Sequence, residues 1–136
     1  IIRHHGILLQ GGYQRRRENY LPSYSFADLI RFPRGYEDIN DRDIYCLSVN
    51  YKMPLMYPDL SIGSLFYIKR IRMNLFYDWA NGLNPGRVNT YQSAGGELTF
   101  DFHFLRMVLP IEAGVRTVYR PSDGGVEFGF VYAITY

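Results

Sequence analysis

The chain has 136 residues, enough for one domain, and carries 15 basic and 13 acidic side chains for a net charge of +2. The charges are interspersed, and the one basic run, Arg15-Arg16-Arg17, is followed at once by Glu18, so the clustered basic face of a nucleic-acid binder is missing. A single cysteine, Cys46, rules out an internal disulfide. No run of about 18 apolar residues offers a transmembrane helix.

The aromatic content is unusual in kind: 13 Tyr and 9 Phe stand against one Trp. Tyrosine favours strands and suits membrane interfaces, where one end of the ring is dry and the other wet. In chain order, residues 6–14 read as a first strand, with Ile7, Leu9, Gly11 and Tyr13 opposite Leu8, Gln10, Gly12 and Gln14. Residues 15–42 form a long, charged and aromatic loop containing Phe32-Pro33-Arg34-Gly35-Tyr36. Loops of this length are usually functional or disordered. Leu47, Val49, Tyr51, Met53 and Leu55 alternate with Ser48, Asn50 and Lys52 in a second strand that ends at Pro54 and the turn Tyr57-Pro58-Asp59.

Residues 66–78 are long for a soluble strand and fit a tilted membrane strand. Residues 80–92, with Asn81-Gly82 and Asn84-Pro85-Gly86, read as a second loop. The next strand, about 95–104, puts Leu98, Phe100, Phe102 and Phe104 opposite Glu97, Thr99, Asp101 and His103. That contrast is the lipid-out, lumen-in pattern of an outer-membrane barrel, and it also suits a soluble sheet with one wet face. A strand over 109–119 follows, then the turn Pro121–Gly125. The last strand alternates Val126, Phe128, Phe130, Tyr132, Ile134 and Tyr136 with small or polar residues. A terminal strand of this kind resembles the C-terminal assembly signal of bacterial outer-membrane barrels.

The side of each strand opposite the apolar residues holds charges of both signs, among them Arg70, Arg72, Asp78, Glu97, Asp101, Glu112 and Arg116. Such a surface cannot be a packed core, because unpaired buried charges cost several kcal/mol each. The expectation is an all-β, antiparallel transmembrane barrel whose C-terminal six or so strands lie in this chain. Closure takes about eight strands or more, so either further strands lie upstream or several chains share one barrel; the first is the expectation, in keeping with a chain that has neither an initiating Met nor a signal-peptide pattern.

With that order of elements, the chain resembles the BamA/TamA-type outer-membrane assembly proteins and the two-partner-secretion transporters. In that superfamily a sixteen-stranded barrel carries a loop that folds into the lumen before the last five strands. The loop bears a Val/Ile-Arg-Gly-Tyr/Phe motif, matched by Pro33-Arg34-Gly35-Tyr36 at all but the first position. Phe76-Tyr77-Asp78-Trp79-Ala80 is similar to the family's Phe-x-Asp-x-Gly strand, with Ala80 where the glycine is expected. Asn50-Tyr51-Lys52-Met53-Pro54-Leu55 is similar to its Glu-x-Arg-x-Pro-Leu strand, with Asn50 where a glutamate is usual. The resemblance implies that Arg34 meets Asp78 inside the lumen beside Asn50. It further implies a protein of the bacterial outer membrane that inserts or exports polypeptides. Its partners would be the lipid bilayer, the outer-membrane assembly machinery, periplasmic or lipoprotein subunits and unfolded polypeptides.

No catalytic residue, metal ligand or cofactor site is expected. His103, Asp101 and Glu97 share a strand face, but lumen-lining polarity accounts for them, and no serine elbow, HExxH or phosphate loop accompanies them. Two other readings stay open: a channel or surface-receptor barrel of another family, and a soluble β-sandwich or lipocalin-like binding module.

Overall fold

The computed structural model describes residues 5–15, 31–36, 39, 41–63, 66–104 and 110–134. The fold is all-β, a single antiparallel sheet. Its strands are β1 (Gly6–Arg15), β2 (Asp43–Met56), β3 (Leu60–Ile62), β4 (Phe66–Asn84), β5 (Arg87–Phe104), β6 (Pro110–Arg120) and β7 (Gly125–Ile134). The sheet runs β1-β2-β4-β5-β6-β7, a meander of sequence neighbours, and β3 pairs with the beginning of β4. Leu60 to Ile62 lie along β4 below the point where β2 leaves it, so β3 continues the line of β2 after the turn at 57–59. β1 and β7 are the two edges of the sheet and do not pair with each other, so these strands leave the sheet open.

The strands expected from alternation all form, with different ends. β2 starts at Asp43, upstream of the expected Leu47. The largest correction concerns residues 80–92, expected as a loop. β4 instead runs on to Asn84 and β5 starts at Arg87, so the pair forms one long hairpin closed at Pro85-Gly86. Gly86 supplies the positive φ of 78° that this tight connection needs. With 19 and 18 residues, β4 and β5 are roughly 60 Å long at about 3.3 Å per residue.

The sheet has two unlike faces. The outer face carries Ile7, Leu9, Tyr45, Leu47, Leu75, Tyr77, Val115 and Tyr119, all strongly exposed. Phe128, Phe130 and Tyr132 on β7 are 78%, 88% and 84% exposed. Among the described residues nothing covers this face. The inner face is defined by the described part of the 15–42 loop, which packs on it. There Phe76, Asp78 and Ala80 are buried, as are Asn50, Ser93 and Val118. Two irregularities keep the faces in phase: Leu55 and Lys69 are skipped in the pairing of β2 with β4 and of β4 with β5. At Gly95 on the inner face, an added Cβ would strike the Thr117 carbonyl oxygen and the Phe76 ring. Glycine here lets β5 and β6 approach closely around the Phe76 side chain, a bend of the kind that curls a sheet.

Candidate functional site

Arg34, Gly35 and Tyr36 sit on the inner face in a tight turn, with the Tyr36 N–H donating to the Pro33 carbonyl at 3.4 Å. Gly35 takes φ +83°, a left-handed conformation that costs an L-residue about 1–2 kcal/mol. A Cβ on it would also lie 3.0 Å from Val118 Cγ1. Gly35→Ala is therefore expected to destabilise the protein by about 1–2 kcal/mol, read as a lower midpoint of urea unfolding. A midpoint equal to the wild type would mean that the turn is not held in this form.

The turn bonds to four successive long strands. The Arg34 main-chain N–H donates to Asp78 Oδ2 at 3.1 Å, and its Nη2 donates to Asn50 Oδ1 at 2.6 Å. Its Nε lies 3.7 Å from Asp78 Oδ2 and 3.9 Å from Glu97 Oε1, ionic distances longer than hydrogen bonds. The guanidinium carbon stands 3.9 Å from the centre of the Phe76 ring, a cation–π contact. On the far side, Arg120 Nη1 donates to the Gly35 carbonyl at 2.7 Å. The Tyr36 hydroxyl donates to the Gln92 carbonyl at 3.1 Å and shares a 2.8 Å hydrogen bond with Ser122 Oγ.

Arg34, Asp78 and Asn50 are thus in contact on the inner face of the sheet. The Arg34 and Asp78 side chains are each 5% exposed. Burial pulls the Arg34 guanidinium below its ordinary pKa; Asp78 and Glu97 draw it back up, while Arg31 and Arg116 add to the fall. Asp78 also accepts from Ser48 Oγ, and Asn50 Nδ2 donates to Ser48 Oγ at 3.1 Å. With an amide at position 50, Glu97 on β5 is the second carboxylate near the arginine. Its place on the polar side of an alternating strand was legible, but its meeting with Arg34 was not.

Beyond the turn the loop has a second anchor. Ile39 packs with Ile44 and Ala80 in a small apolar cluster flanked by Phe32, Tyr36, Cys46 and Tyr91. Asp41, 2% exposed, accepts from Asn89 Nδ2 at 2.8 Å and from Asn84 Nδ2, and the Arg42 N–H donates to Asn84 Oδ1 at 2.9 Å. The long β4–β5 hairpin is therefore the platform on which the end of the loop rests.

The residues weighed for acid–base chemistry are engaged elsewhere. Asp101 accepts from Arg70 Nε and from Arg72, and Glu97 accepts from Arg116 Nε at 2.7 Å and Asn74 Nδ2 at 2.9 Å. The His103 ring lies 6.1 Å from the Tyr67 ring. The terminal aromatics Phe128, Phe130 and Tyr132 stand on the outer face, away from the Arg34 cluster. Ile134 ends β7, and Tyr136 lies outside the described residues. Compared with protein-family models, with curated proteins and with solved structures, the chain matches none of them.

Proposed function

We propose that this chain forms one wall of a transmembrane β-barrel of the bacterial outer membrane, in a protein that assembles or translocates polypeptides. The observation that carries the membrane reading is the pairing of the two faces. One face of the sheet is apolar, exposed and uncovered among the described residues, while the other bears charge networks and a folded-back loop. In water, so wide an apolar face needs a second layer. In a bilayer, lipid is that layer, and the charged face lines a wet interior.

The outward aromatics support the same reading. Tyr13, Tyr45, Trp79 and Tyr119 lie toward one end of the strands, and Tyr51 and Tyr132 toward the other. Tyr13 and Tyr45 stack with ring centres 4.7 Å apart. Two aromatic levels bounding an apolar band are what the two membrane interfaces favour. The upper level runs obliquely. Tyr119 is level with Tyr77 and Val49 through the register, and Tyr45 is the second outward position beyond Val49. Strands tilted in a barrel wall require such a slant. Just beyond this level the outward pair is polar, with Thr90 Oγ1 donating to Asn81 Oδ1 at 3.0 Å, and the next outward pair, Leu83 and Val88, is apolar again.

The assembly or translocation reading rests on the Arg34-Gly35-Tyr36 turn held by Asp78 and Asn50 on the inner face. Closure of the barrel would engage the free edges of β1 and β7 with further strands, because unpaired backbone is not tolerated in hydrocarbon. The protein carrying this chain is expected to need detergent for solubility and to migrate on gels in a heat-modifiable form. A folded, monodisperse protein in detergent-free buffer would overturn the barrel reading. Within a barrel, Arg34→Ala is expected to impair assembly or export of other polypeptides while the variant itself reaches the membrane. Unchanged assembly and export would leave a channel or receptor barrel in its place.

A further inference from the structure

An open cavity of about 430 Å³ lies on the inner face beside the Arg34 turn, walled by β2, β4, β5 and β6. Six cationic side chains line it against two carboxylates, Glu97 and Glu112. The carboxylates nearby hold the arginines by one edge. Asp101 takes Arg70 through Nε, and Glu97 takes Arg116 through Nε at 2.7 Å. The Nη nitrogens of Arg70 and Arg116 then have no protein acceptor among the described residues, and these side chains are 39% and 30% exposed. Arg72 divides its donors between Asp101 and Glu112. Lys52, exposed on the β2 wall, has no carboxylate or hydrogen-bond partner among the described residues.

A second observation points the same way. Arg34 also lines the cavity; its side chain is 5% exposed, and its Nη1 has no hydrogen-bond partner among the described residues. Buried donors of this kind are rare unless something outside the chain satisfies them. A cavity with a surplus of forked, pre-oriented guanidinium donors and a free ammonium fits a multiply charged oxyanion better than a single carboxylate.

We propose that this cavity is a binding site for a phosphate-class oxyanion, carried as a phosphate ester on a water-soluble molecule. The carrier is water-soluble because the cavity opens on the face opposite the exposed apolar one; that step rests on the barrel reading.

The test uses the full protein folded in neutral detergent, titrated at constant ionic strength in chloride and read by phosphorus NMR and calorimetry. The probes are inorganic phosphate, a hexose phosphate, and mixed micelles containing phosphatidic acid. Saturable binding of both soluble phosphates, and none specific to the lipid, is the expected result. Lys52→Gln should weaken it about fivefold, the loss of one exposed charge-assisted contact, and Lys52→Glu should weaken it further. Arg87→Gln, at the exposed hairpin tip, should leave it unchanged. Binding no stronger than that of chloride, equal loss in Arg87→Gln, or binding of the lipid phosphate alone would each overturn the proposal. If the protein instead folds without detergent, the barrel reading fails, and the same titration in plain buffer still decides whether the cavity takes phosphate.

Discussion

Asp78→Ala is expected to lower folding stability by about 3–5 kcal/mol, the usual cost of removing one partner from a buried ion pair. Three things are lost together: the acceptor for the Arg34 main-chain N–H, the acceptor for Ser48 Oγ, and the nearer of the two carboxylates beside a guanidinium that is 5% exposed. What makes the loss large is the charge left behind. Glu97 stays 3.9 Å from Arg34 Nε and already accepts from Arg116 and Asn74, so it offsets only part of it. Arg34→Ala should cost less, because Asp78 would keep its bond from Ser48. The double variant should cost less than the sum of the singles, with a coupling of about 1–3 kcal/mol. Unfolding followed by the fluorescence of the sole tryptophan, Trp79, next to Asp78 in β4, measures all three variants. Strict additivity would mean that Arg34 and Asp78 sit side by side without acting on each other.

How the loop closes on the sheet explains why this part of the site was legible before the structure and other parts were not. Asp78 and Asn50 fall on the polar side of alternating strands, and an Arg-Gly-Tyr turn upstream supplies a cation that needs an acceptor. Parity and charge are enough to bring Arg34 and Asp78 together, whereas the place of Asn50 beside them came from the family resemblance. Phe76 was on the same side by parity, but nothing in its apolar side chain announces that it lies under a guanidinium. The bonds from Arg120 to Gly35 and from Tyr36 to Gln92 and Ser122 join residues far apart in the chain, and two of the acceptors are main-chain carbonyls with no side-chain signature.

The hairpin tip was misread for a different reason. Where alternation is strong, as toward Phe104 in β5 and from Val126 in β7, the strand ends were placed close to the observed ones. Beyond Trp79 and before Ala94 the contrast fades, because outward Asn81 and Thr90 are polar and inward Ala80 and Gly82 are small. Asn-Gly and Pro-Gly pairs then weigh toward a loop. Only Pro85-Gly86 is the turn; Asn81-Gly82 lies in regular pairing with β2 and β5. The inner face there is not uniformly polar either, since Ile44 and Ala80 are needed to seat Ile39.

A depth series on β6 tests the outer face directly, and Val115→Arg should show the second large effect. Val115 points outward, 48% exposed, between Leu98 and Phe130 in the register, inside the band bounded by the two aromatic levels. At the middle of a bilayer, an arginine on the lipid face costs about 2–4 kcal/mol, falling to about 0–1 kcal/mol near the interface. Tyr119→Arg, at the aromatic level, should therefore cost much less than Val115→Arg apart from the lost stacking surface, and Thr117→Arg, inside the band like Val115, should also cost more than Tyr119→Arg. In a sheet facing water the gradient would vanish or reverse. An exposed arginine at Val115 would then cost only packing, within about half a kcal/mol of neutral for a surface site, and the larger Tyr119 would be the costlier loss. Reversible urea unfolding of the three variants from lipid vesicles gives the order. A flat series would remove lipid as the cover of the outer face. A steep one would place Leu98, Val115 and Phe130 within the hydrocarbon layer and Tyr119 at its margin.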